Sequence, residues 1–145
     1  VDAGLVIQGR REGMRRKSIF LPGLFLVLLA STTSFAARLP EPEELDRLVK
    51  KISERQSKDM KTFEKKTKDY FFEEQKPESI TAVIGQVAPG EAITVIVLSN
   101  LAKKPVQDII AMKKSGKSWQ EIADNTGVKL KAVVKDVKDF RLGIG

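Results

Sequence analysis

The sequence predicts an all-α protein: a long N-terminal amphipathic helix followed by a compact bundle of four or five short helices. Three observations carry this. Apolar side chains recur at helical spacing in one segment after another, as at Ile80, Val83, Ile84 and Val87. Pro and Gly punctuate the chain at Lys76-Pro77, Pro89-Gly90, Pro105 and Ser115-Gly116, which leaves room only for short elements. Ser118 and Glu121 have the S-x-x-E spacing of a capping box, with Gly127 placed to end the helix that the box begins.

Taken in order, residues 1–13 show no period, and we expect the natural chain to start at Met14. From there the pattern is that of a secretory signal peptide over 14–36. Arg15, Arg16 and Lys17 form the positive start, and Ile19 to Ala30 is apolar apart from Pro22 and Gly23. Ser34 and Ala36 supply small residues for cleavage between Ala36 and Ala37. The expected location is periplasmic or secreted. The alternative is an uncleaved segment anchoring the protein in the inner membrane, although the apolar run falls short of the ~20 residues of a bilayer span.

Residues 37–41 read as a linker. Over 42–76 we expect one long amphipathic helix, opened by Pro42, Glu43 and Glu44, whose acids suit the positive end of the helix dipole. Val49, Ile52, Gln56, Met60, Phe63, Thr67 and Tyr70 mark its stripe at spacings of 3, 4, 4, 3, 4 and 3, close to an 11-residue repeat. That helix reads either as a solvated helix packed on its own domain or, functionally, as a coiled coil, through self-association or an envelope protein partner. Tyr70 and Phe71 are candidate interaction residues, and their aromatic run is also the natural anchor of the helix onto the rest of the chain.

Residues 77–145 are expected to be the small helical domain. Pro89-Gly90 reads as a turn. Glu91 to Ala102 has helical spacing, but its TVIVLS run is rich in β-branched residues, so strand is the rival reading. Helix is preferred because strand partners are hard to find elsewhere. Pro105 opens a helix through Lys114. After the capped helix, Val133, Val134, Val137 and Phe140 form the buried stripe of a last one, with Lys131, Lys135 and Lys138 sharing another face.

The stretch Gly116–Val128, GKSWQEIADNTGV, carries two resemblances. Ile122, Ala123, Gly127, Val128 and Val133 resemble the helix-turn-helix family, which implies DNA recognition by the last helix; Asp136 stands where that family places an apolar residue. Gly116, Ser118, Trp119, Ile122, Ala123, Gly127 and Val128 are also similar to the lysin motif, which implies cell-wall glycan binding and short strands flanking the two helices. Trp119 is then a candidate contact. From Leu101 onward the layout resembles small exported bacterial proteins to which no activity is attached. One local pattern serving two unrelated families encodes a helix pair before it encodes a function.

Composition narrows the chemistry. The chain has no Cys and no His, which removes disulfides, thiolate metal sites, and the usual general base and metal ligand at neutral pH. Asp124-Asn125-Thr126-Gly127 lacks EF-hand spacing and its closing glutamate. Lys117 and Ser118 are adjacent, so they diverge, and Ser118 is needed as a cap. No catalytic residue, metal or cofactor is expected. The net charge of +7 is uneven. Residues 1–36 hold five basic and two acidic side chains, 37–78 eleven of each, and 79–145 ten basic and six acidic. The lysine face at 131, 135 and 138 reads first as a solvated face and next as the candidate surface for an anionic cell-wall polymer or membrane surface. The expected function is an exported, non-catalytic interaction or structural protein. A glycan-binding module, and a DNA-binding protein if the signal peptide is misread, are the alternatives.

Overall fold

The computed structural model describes residues 38–145, and every regular element among them is an α-helix. The first, α1 (Glu41–Gln56), starts where Pro40 and Pro42 restrict the backbone, with Glu41, Glu43 and Glu44 in its first turn. Leu45, Leu48 and Ile52 fall on one stripe and are buried.

The expected single helix over 42–76 is instead two, α1 and α2 (Met60–Tyr70), separated at residues 57–59. Asp59 makes the break. Its Oδ1 accepts from the Thr62 backbone N–H at 3.0 Å and its Oδ2 from the Thr62 hydroxyl at 2.6 Å, so it caps a new helix rather than continuing the old one. The apolar stripe is thinnest here, between Ile52 and Met60, so little burial holds the chain in one helix. The break also gives the halves different partners: α1 packs on the fourth and last helices, whereas α2 packs on the third. Residues 40–145 form one compact unit, so the 42–76 segment is part of the bundle and does not extend from it.

Pro77 opens α3 (Pro77–Ile84), as its fixed φ favours. Pro89 and Gly90, expected as a turn, are the first residues of α4 (Pro89–Ala102). Pro89 sits where a helix has no use for an N–H, so it starts the helix instead of breaking it. This is the central helix. It touches α1, α3, α5 (Val106–Lys114) and α7 (Leu130–Gly143), and Ala92 through Ser99 are buried without interruption. A helix apolar all round belongs inside the bundle, which is why this run of β-branched residues is helix and not strand.

Gly90 lets α1 and α4 meet. A Cβ there would lie 2.0 Å from the Val49 carbonyl oxygen, so no other residue fits at this approach. At the same crossing the Ser53 hydroxyl accepts the Gly90 N–H at 2.8 Å, satisfying a donor that the start of α4 would otherwise leave open.

The capping box forms as expected at the start of α6 (Trp119–Thr126). The Ser118 hydroxyl accepts from Glu121 N–H at 3.1 Å, and the Glu121 carboxylate accepts from Ser118 N–H at 3.2 Å. Gly127 ends the helix at φ 74°, and Val128 N–H reaches back to the Ala123 carbonyl at 2.9 Å. Leu130, Val133, Val134, Val137 and Phe140 of α7 are buried. At its far end Phe140 meets Phe71 in a stacked pair at 5.4 Å, and Phe63 and Tyr70 edge-on at 6.4 and 5.0 Å. One hydrophobic cluster runs through all seven helices described.

Candidate anion-binding cleft

The residues singled out in the sequence have different fates. Trp119 is only 6% exposed, and the Lys113 ammonium covers its ring at 4.4 Å, so it serves the core. Phe71 is buried in the aromatic cluster, Tyr70 is partly exposed beside it, and Phe72 is 71% exposed. Phe71 therefore carries the anchoring expected of the run. Ala36 and Ala37 lie outside the described residues.

Lys131, Lys135 and Lys138 do share the outer face of α7. Two of them are already matched: Lys135 with Asp139 at 2.8 Å and Lys138 with Glu44 of α1 at 2.6 Å. Lys135 is held above the usual lysine range, chiefly by the hydrogen bond to Asp139 and then by that carboxylate's charge. Burial raises Asp136 above the usual carboxylate range, which Lys135 partly offsets and Asp139 reinforces. The lysine face is a mixed surface rather than a positive stripe.

The α6–α7 pair has the turn the helix-turn-helix resemblance implies, with Ala123 and Val133 fully buried and Gly127 in the left-handed region. The strands implied by the lysin motif are not found among the described residues: 106–114 and 130–143 are helices.

A different group of cations is gathered by the tertiary fold. The end of α1 and the residues just past it lie against the end of α7, and between them is a cleft of about 420 Å³. Lys51, Arg55 and Lys58 line it from one side, Arg141 from the other, and Ile52 and Ile144 supply its apolar lining. Lys51 and Arg55 are at i, i+4 and face the same way, an arrangement that costs a helix a few tenths of a kcal/mol through repulsion. None of the four cations forms an ion pair or side-chain hydrogen bond among the described residues. The one acidic side chain in the lining, Glu54, faces Lys50 at 4.0 Å, and Gly145 completes the lining beside Ile144. Nearby, Lys66 donates to the Ile144 carbonyl at 3.0 Å and ties α2 to the end of α7.

Arg141 stands apart from the other three. Its Nε is buried and has no acceptor among the described residues. A buried donor left unpaired costs roughly 1–3 kcal/mol. Part of the basic character has a structural cause, because Arg55 and Arg141 lie in the last turns of their helices, where the dipole favours cations. That accounts for two of the four. Lys51 lies a turn further back and Lys58 beyond the helix end.

The sequence reading missed this cleft, because its two walls are far apart in the chain. The local signal was the like-charged i, i+4 pair Lys51 and Arg55 near the end of a helix, with Lys58 just beyond it. Among the described residues no group of three or more acidic side chains is placed to hold a metal, and no helix is long and apolar enough to cross a membrane. No protein-family model, curated protein or solved structure matches this chain.

Proposed function

We propose that this protein is an exported, non-catalytic binding protein that meets an anionic partner through the cleft between α1 and α7. The observation that carries the reading is the gathering of Lys51, Arg55, Lys58 and Arg141 around one cleft with no acidic partner among the described residues. Grouped cations in a concave site attract anions more strongly than the same charges spread over a convex surface. Export rests on the sequence of residues 14–36 alone.

The test is retention of the purified chain on carboxylate- and phosphate-bearing matrices over a salt gradient. Replacing Lys51, Arg55 and Lys58 together by Gln should move elution to clearly lower salt on both. Equal elution of variant and parent would sink the reading. Intact-mass analysis of periplasmic and cytosolic fractions tests export: a species starting at Ala37 supports it, and a cytosolic species retaining Met14 opposes it.

A second reading, DNA binding, is favoured by the geometry of α6, Gly127 and α7. It requires the chain to stay in the cytosol. Mobility shift of duplex DNA, abolished by Lys131→Glu, is its test.

A further inference from the structure

We infer that the cleft is a site for a phosphomonoester carried on a small hydroxylated group, with Arg141 as the residue that orients the phosphate. The inference rests on the binding reading above and narrows it to one chemistry.

Four features of the cleft point the same way. The first is charge. Four cationic side chains and one acidic one line the cleft with Gly145, and the acidic one, Glu54, faces Lys50. A single carboxylate ligand would leave most of that charge uncompensated, whereas a phosphomonoester carries about −1.5 to −2 near neutral pH. The second is donor geometry. Arg141 lines the cleft with a planar guanidinium, whose buried Nε has no acceptor among the described residues. A guanidinium edge matches two oxygens of a phosphate side by side, which an ammonium cannot do. Arg55 offers a second such fork, and Lys51 and Lys58 supply point charges around them.

The third is size. At about 420 Å³ the cleft lies in the range of small-molecule sites and has room for more than an inorganic ion. The fourth is the remaining lining. Ile144 can cover carbon, while the half-buried Gln56 carries an acceptor oxygen suited to a hydroxyl donor. A phosphate on a polyol or sugar uses all of these groups; a bare anion uses only the cations.

The experiment follows the Arg side-chain Nε–H signals by NMR in the purified full chain during titration with glycerol 3-phosphate, inorganic phosphate and glycerol. The expected result is a saturable shift of the Arg141 Nε–H, with glycerol 3-phosphate binding more tightly than phosphate and glycerol producing no shift. Binding should weaken as pH falls through about 6, where the monoester loses its second charge. Arg141→Lys should weaken binding about tenfold or more although the charge is kept, because the fork is lost. If that variant folds poorly, the parent's Nε–H shift decides alone.

Vesicles bearing phosphatidic acid separate the two sources of the monoester. Shifts with free glycerol 3-phosphate assign a soluble ester, and binding only to the vesicles assigns the same group on a lipid. No response to either overturns the inference. If cleft-dependent retention on anionic matrices persists in that case, the broader binding reading stands and only the phosphomonoester falls. If the retention is absent too, both fall.

Discussion

The outer face of α7 and the cleft at its C-terminal end are both basic, yet they are different electrostatic objects. Lys131 and Arg141 are about 15 Å apart along one helix. At the lysine face, Asp139 and Glu44 answer Lys135 and Lys138, and Asp136 adds a third carboxylate. At the cleft, Arg141 lies across from Lys51 and Arg55 of α1 and Lys58 just past it, and none is paired among the described residues. Exposed pairs such as Lys135–Asp139 contribute little to stability, but they do cancel the field a ligand would feel at a distance. A count of basic residues along a helix therefore says less about binding than the partners that packing supplies to each one.

The strongest way to break this contrast is to loosen the end of α7. Phe140 packs between Phe63, Tyr70 and Phe71, next to Arg141. Phe140→Ala should cost about 3–5 kcal/mol, measured by urea unfolding. Where the variant still folds, retention on an anionic matrix should fall with it, because Arg141 loses its fixed position. Unchanged stability would mean that the aromatic cluster does not hold α7 in place.

Gly90→Ala attacks the other wall. The added methyl would meet the Val49 backbone at 2.0 Å, so α1 must move away from α4. The expected loss is about 3 kcal/mol, at the upper end for overpacking because backbone is struck rather than a flexible side chain. Since α1 carries Lys51 and Arg55, anion retention should fall together with the melting temperature. A variant of native stability would show that the two helices are not in close approach.

The contrast is sharpened by charge removal at each site. Arg141→Gln and Lys135→Gln each remove one positive charge. The first should lower the salt needed for elution from an anionic matrix distinctly more than the second, which frees Asp139 but disturbs no cleft. Equal effects would reduce the cleft to its net charge.

Much of the fold was legible because its signals are local. Ser118, Glu121 and Gly127 fix the start and end of α6 within ten residues, and the stripe of α7 is a plain helical period. The all-α class follows from such segments. Asp59 was passed over because a carboxylate in a charged helical segment looks like a solvated one until Thr62 is seen to bond it twice. Pro89-Gly90 has the composition of a turn, and only the Val49 backbone lying against Gly90 shows that the glycine serves a helix crossing. Trp119 looked like a ligand contact because its burial depends on packing that the local motif does not encode. The cleft was the least legible, since Arg141 and Lys51 meet only after α1 and α7 pack.

The smallest predicted effect concerns Asp136, which lies on α7 next to Lys135 and at the position where the helix-turn-helix resemblance implies an apolar residue. Burial raises its proton affinity in the folded state above the usual carboxylate value. The folded protein therefore holds this proton more tightly than the unfolded chain does. Relative to a neutral side chain, the charged form is a burden that is absent below the unfolded pKa and grows as pH rises through the raised one. Asp136→Asn should thus stabilise the protein at pH 7, by under about 1 kcal/mol because the group is only partly shielded from solvent. The gain should disappear at around pH 3, below the ordinary carboxylate range. Urea midpoints of parent and variant at the two pH values decide it. A gain of equal size at both would mean that the amide improves local packing and that charge burial is not the cause. A loss at pH 7 would mean that Asp136 serves the lysine face through its charge, by helping Asp139 to neutralise Lys135.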